Sequence, residues 1–226
     1  MTRNKLWTCN SISEIDVKRI SDKANIPKLI AKVLLNRGID DCEKIRKFID
    51  PSVEDLYDPF LMKDMDRAVE RMKTALAKKE KIVVYGDYDV DGITSTSILI
   101  DFLSRLGATC DFYIPDRVDE GYGISIPAID KIRQMDSSLI ITADCGITAV
   151  DEVKYIKECG MDIIITDHHE CTGVLPDAHA VVNPHRPDCT YPFKELAGVG
   201  VVYKFIHALC IEMSLGDIHQ DYIDLV

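Results

Sequence analysis

The sequence predicts an α/β fold: a doubly wound parallel five-stranded sheet with helices on both faces, preceded by an N-terminal helical extension. Three observations carry this expectation. Short apolar, β-prone runs alternate with longer helical patterns from residue 81 onward, the spacing of right-handed βαβ units. The runs are apolar without alternation, as in strands covered on both faces. Carboxylates and histidines follow several of the runs directly, at the strand ends where sheets of this kind hold their ligands.

In chain order, residues 1–62 read as short helices. Ile12, Ile15, Val17 and Ile20 recur loosely, Pro27 opens LIAKVLL as far as Gly38, and Asp40 and Asp41 can cap a further helix through Phe48. A helix over 63–79 leads into the first strand, 82–85, which Gly86 ends. A helical pattern then begins after Gly92 and closes at Gly107. Strands over 109–114, 139–142, 163–166 and 180–182 follow, with helices over 127–135, 150–159 and 197–213. Two domains are expected: the helical extension, 1–62, and an α/β domain, 63–226.

At 226 residues and 46% hydrophobic the chain can bury a sizeable core. No apolar run approaches the roughly 18 residues that cross a bilayer, and the opening MTRNKLWTCN has no signal-peptide core. Its eight cysteines form no CxxC pair, which points to reduced thiols and a cytoplasmic setting. The net charge of −11 is unevenly spread: residues 1–80 carry 17 Lys and Arg against 14 Asp and Glu, and residues 81–226 carry 10 against 24. Such acidity argues against broad non-specific DNA binding. It leaves room for a phosphate substrate bridged by metal, because bound cations cancel the charge locally.

The acids have a pattern. GDYDVDG sets Asp87, Asp89 and Asp91 at alternate positions just past the first strand. Like charges this close repel unless a cation compensates, and oxygen-rich clusters suit Mg²⁺ or Mn²⁺. Alone, such a run is equally a solvated acidic turn. Asp144 follows the third strand and His168 the fourth, where each alone reads as a helix cap or a loop histidine. Their convergence with the first three acids on one sheet edge predicts a metal site.

GDYDVDG, TADCG and above all TDHH resemble the DHH phosphoesterase family, which is named for the Asp-His-His triplet. Within it the RecJ-type branch, single-strand-specific 5′ exonucleases, is the most similar: FIDPSVEDLYDP, IPDRVDEGYGIS, NPHRPDCTYPFKELAGVGVVYK and DYIDLV extend the likeness along nearly the whole chain. The resemblance implies a metal-dependent phosphodiesterase that releases 5′-mononucleotides from single-stranded DNA in repair and recombination. It assigns one Mn²⁺ or Mg²⁺ to Asp87 and Asp89 and a second to Asp91 and His168, with Asp144 bridging. His169 would face the scissile phosphate and Asp167 would orient the histidine pair. Arg117, Tyr122, His185 and Arg186 are candidates for holding the DNA strand or its 5′ phosphate. The expected partners are single-stranded DNA with a 5′ end and a single-strand-binding protein or helicase, with no membrane.

In the family a further aspartate, in a motif like GTxAD, completes the second metal's shell, and a second domain clamps the DNA. Neither occurs up to Val226, so the chain is expected to be an N-terminal portion of a longer enzyme. Two other readings stand beside this one. The first is another branch of the family, acting on short oligonucleotides, cyclic dinucleotides or pyrophosphate, against which Asp87 in place of a histidine counts. The second is a metal- or nucleotide-binding module without catalysis. A receiver-type domain also gathers acids at strand ends, but has no use for adjacent histidines.

Overall fold

The computed structural model describes residues 11–226. It divides into two compact units, one ending at Leu56 and the other running Tyr57–Val226. The first holds α1 (Glu14–Ala24), α2 (Lys28–Asn36) and α3 (Cys42–Ile49). Their inward residues Val17, Ile20, Ala31, Leu34 and Ile45 form a small core. A side chain starts α3 where the sequence suggests: Asp41 Oδ1 accepts the N–H groups of Glu43 and Lys44, each at 2.9 Å.

The second unit contains α4 (Met65–Lys78), β1 (Ile82–Gly86), α5 (Val90–Arg105), β2 (Cys110–Tyr113), α6 (Ile126–Gln134), β3 (Leu139–Ala143), α7 (Val150–Glu158), β4 (Asp162–Thr166), β5 (Ala180–Val182) and α8 (Gly198–Glu212). A 3-10 turn over Ile218–Leu225 follows. The five strands are all parallel, in the order β2-β1-β3-β4-β5. Val83, Tyr85, Ile140, Ile163 and Ile165 point to one face and pack on Ile129 and Ile132 of α6 and Val153 and Ile156 of α7. On the other face α5 lies against β1, α8 against β3 and β4, and α4 against β5. Every residue of β1 and of β3 is buried, which is why these strands read as unbroken apolar runs. Among the described residues no helix is long and apolar enough to cross a membrane.

Two features position the site. First, the chain leaves β1 toward β2 on one side, then returns to lay β3 on the other, so a crevice opens beyond the carboxyl ends of β1 and β3. Second, the register places Gly86 opposite Ala143, Ala143 opposite Thr166, and Thr166 opposite Val182. The next residues, Asp87, Asp144, Asp167 and Asn183, therefore form one row along that edge. The ladder continues into the row: the Asp144 N–H donates to Thr166 O and the Asp167 N–H to Val182 O, each at 3.1 Å.

Most boundaries fall within two residues of the sequence reading, and the start of α5 moves further. α5 starts at Val90, before Gly92, because the Asp89 side chain accepts the Gly92 N–H at 3.0 Å and caps the helix. Asp91 thus sits in the first turn of α5, and the triplet of aspartates turns a corner.

Candidate metal centre

Asp87, Asp89 and Asp144 each bring a carboxylate oxygen within 4.8 Å of the others, and so do ligand atoms of Asp144, His168 and His169. Asp144 belongs to both groups. Its backbone is left-handed, φ 68°, an uncommon state for a residue with a side chain and one tolerated best by Asp and Asn. His168 Nε2 lies 3.2 Å from Asp144 Oδ1 and 3.7 Å from Asp91 Oδ2. The first contact lacks hydrogen-bond alignment, so Asp144 Oδ1, like Asp87 Oδ1, is buried without a donor. Two carboxylates that approach within 4.8 Å, each with a buried oxygen lacking a donor and one of them 3.2 Å from an imidazole, fit a divalent cation.

Electrostatics say the same. Burial, then the charges of Asp91 and Asp89, push Asp144 up to about 8. Burial also raises Asp87. Neither carboxylate is comfortable as an anion until positive charge arrives. Asp91 is better served. Its two oxygens accept the N–H groups of Gly198 and Val199, each at 2.7 Å, so it caps the N-terminus of α8 from a distant part of the chain. Those bonds leave lone pairs on both oxygens for a cation.

Glycines let these elements meet. A Cβ on Gly198 would fall 2.6 Å from Cβ and Cγ of Asp144, and one on Gly92 would fall 2.6 Å from N and Cβ of Asp87. Side chains at either position would force the acids apart.

Asp167, only 1% exposed, works differently. Its Oδ1 accepts the N–H groups of His168 (2.7 Å) and His169 (3.1 Å) and meets His169 Nδ1 at 2.7 Å, while Oδ2 accepts the Ile147 N–H at 2.8 Å. Burial alone would raise it, but the bonds from His169 and Ile147 outweigh that and hold it below the usual carboxylate range. The same Asp167 bond carries the His169 imidazole up to about 8.

The candidates for substrate contact divide. Tyr122 Oη lies 3.3 Å from both ring nitrogens of His169 and stays half exposed. The Arg117 guanidinium stands 5.2 Å over the Tyr88 ring. His185 Nδ1 lies 3.1 Å from Glu170 Oε1. Arg186 is buried: it makes a two-pronged pair with Asp188 and also donates to Asp64 Oδ2 and Val181 O. With these partners it fixes its own loop and does not face the crevice as a phosphate fork. The sequence reading also passed over two contributors. The α8 amides of Gly198 and Val199 had only the glycine pair as a signal, and Asn183 had none, because its place in the row depends on strand order.

The chain matches the family model described as "DHH family, N-terminal domain" over residues 81–226. It is 48% identical over 219 residues to the single-stranded-DNA-specific exonuclease RecJ of Bacillus subtilis (strain 168), a match covering 97% of this chain and 27% of that protein. To the RecJ of Escherichia coli (strain K12) it is 33% identical over 187 residues, covering 82% of this chain and 32% of that protein. The chain thus spans between a quarter and a third of these relatives' length. Among solved structures, RecJ in complex with Mn²⁺ from Thermus thermophilus superposes with a TM-score of 0.76 at 27% identity, covering 95% of this chain and 30% of that one. An exonuclease RecJ bound to manganese gives 0.67 at 34% identity, covering 73% and 41%.

Proposed function

Because the chain belongs to the DHH family, we propose that residues 63–226 are the catalytic domain of a metal-dependent 5′-to-3′ exonuclease acting on single-stranded DNA, with residues 1–62 as a helical extension. The observation that carries this reading is the pair of buried, donorless carboxylate oxygens on Asp87 and Asp144, set beside His168. Two divalent cations, Mn²⁺ or Mg²⁺, fit the donor set. Asp87, Asp89 and Asp144 would hold one, and Asp144, Asp91 and His168 the other. When bound, such a pair lowers the pKa of a shared water and neutralises phosphate charge.

The chain's own residues supply the rest. Asp167 fixes His169 Nδ1, which leaves Nε2 as the proton donor toward a phosphate or leaving oxygen. Tyr122 borders a cavity of about 400 Å³ shared with Ile124, Thr148, Glu152 and His169, with room for part of a nucleotide. Arg117, braced on Tyr88, supplies positive charge beside Asp87. The setting is cytoplasmic, and a helicase or single-strand-binding protein would present the strand.

The test offers the chain, with Mn²⁺, a 5′-phosphorylated single strand beside the duplex, a cyclic dinucleotide and pyrophosphate. Release of 5′-mononucleotides from the single strand alone, abolished by Asp144→Ala and by His168→Ala, is the expected result. Preferential turnover of a small substrate, or full activity in either variant, would overturn the reading.

A further inference from the structure

Asn183 closes the row that starts with Asp87, Asp144 and Asp167, and it is fully buried. Its side chain is spent at both ends. Nδ2 donates to His169 O at 2.9 Å, and Oδ1 accepts the His185 N–H at 2.7 Å. The amide orientation is unambiguous, since only an NH₂ can meet a carbonyl and only an oxygen can meet an N–H.

His169 lies outside any helix or strand, so its backbone depends on side chains for partners. Asp167 holds its N–H and its ring Nδ1. Asn183 holds its carbonyl. Together they hold the N–H, the carbonyl and ring Nδ1 of His169, and leave Nε2 with only the Tyr122 hydroxyl, 3.3 Å away, beside it.

The anchor of this clamp is itself rigid. Arg186 ties the loop after β5 to Asp64 and Asp188, and Lys194 Nζ donates to Pro184 O at 2.7 Å and Cys189 O at 2.8 Å. His185, the other end of the clamp, contacts Glu170, the residue after His169. The buried arginine, which does not face the crevice, thereby gains a purpose: it steadies the loop from which His169 is aimed.

We propose that Asn183 is a positioning residue for His169, acting through the His169 carbonyl; its kinetic consequence rests on the exonuclease reading. The row ends in an amide because a carboxylate there would set oxygen against the His169 carbonyl oxygen and leave both without a proton between them.

The test compares Asn183→Asp and Asn183→Ala with wild type. Asp keeps the acceptor for His185 and loses only the donor to His169; Ala loses both. Asn183→Ser, which also keeps an acceptor, replaces Asp if that variant does not fold. On 5′-phosphorylated single strands with Mn²⁺, kcat falls about 10- to 100-fold, as for other groups that orient site residues, while KM stays near wild type. Independently of activity, the side-chain ¹⁵N resonances of His169 shift in each variant, and those of His207 and His219 do not. Unmoved His169 resonances, or an unchanged kcat, would overturn the inference. In a wild-type chain without nuclease activity the resonances decide the clamp by themselves.

Discussion

His168 Nε2 lies 3.2 Å from Asp144 Oδ1, although one residue follows β4 and the other β3. No hydrogen bond joins them, and the oxygen has no other donor. A contact held by two strand ends and satisfied by neither partner leaves a place for a third, positively charged participant. The consequences reach stability as well as chemistry.

Asp144→Asn should stabilise the metal-free chain and abolish its response to metal. The folded carboxyl titrates at about 8 and the free one at 3.8. With the folded value raised, wild-type stability declines as pH climbs from about 4 to about 8. The Asn variant lacks that decline and, at pH 7, should be more stable by on the order of 1–4 kcal/mol. Adding Mn²⁺ should raise the melting temperature of wild type and leave the variant unmoved. Melting curves across this pH range, with and without Mn²⁺, check both halves.

Gly198→Ala tests the close approach of α8. Its methyl would fall 2.6 Å from Cβ and Cγ of Asp144, so either α8 or the carboxylate must retreat. Overpacking of this kind costs about 1–3 kcal/mol, and metal affinity should fall with it. Urea denaturation and Mn²⁺ titration by calorimetry measure the two effects separately; unchanged affinity would mean that the site tolerates the retreat.

Acid should loosen the packing of α8 on the closing 3-10 turn. The His207 and His219 rings stack 4.2 Å apart at 10°, and both Nδ1 atoms are buried without partners. Burial, then the charges of His219 and Lys204, push His207 down to about 4, and burial lowers His219 too. Depressed folded values mean the neutral pair contributes fully above about 6.5, and the contribution drains away as pH falls toward 4. His207→Phe should flatten the melting-temperature profile over that window relative to wild type. A profile parallel to wild type would show that the stacked pair does not control it.

Most of the sheet was legible because parallel strands buried on both faces leave apolar runs in sequence, and each run ended near its expected residue. The acids were legible for a related reason, since a strand end is marked by the break that precedes Asp87, Asp144 and Asp167. What the sequence hid depends on which strand ends become neighbours. Nothing local says that Asn183 falls in register with Asp167, that Gly198 must clear Asp144, or that Arg186 will find Asp64 across the fold. The start of α5 is hidden for a smaller reason: Gly92 reads as a boundary, but Asp89 caps across it.

The most direct test of the shared-cation claim is anomalous diffraction at the manganese edge from crystals of this chain grown with Mn²⁺. The account predicts two peaks in the crevice beyond β1 and β3, both contacting Asp144, one adjoining Asp87 and Asp89 and the other adjoining His168. No peak there, or a single peak away from Asp144, would contradict it.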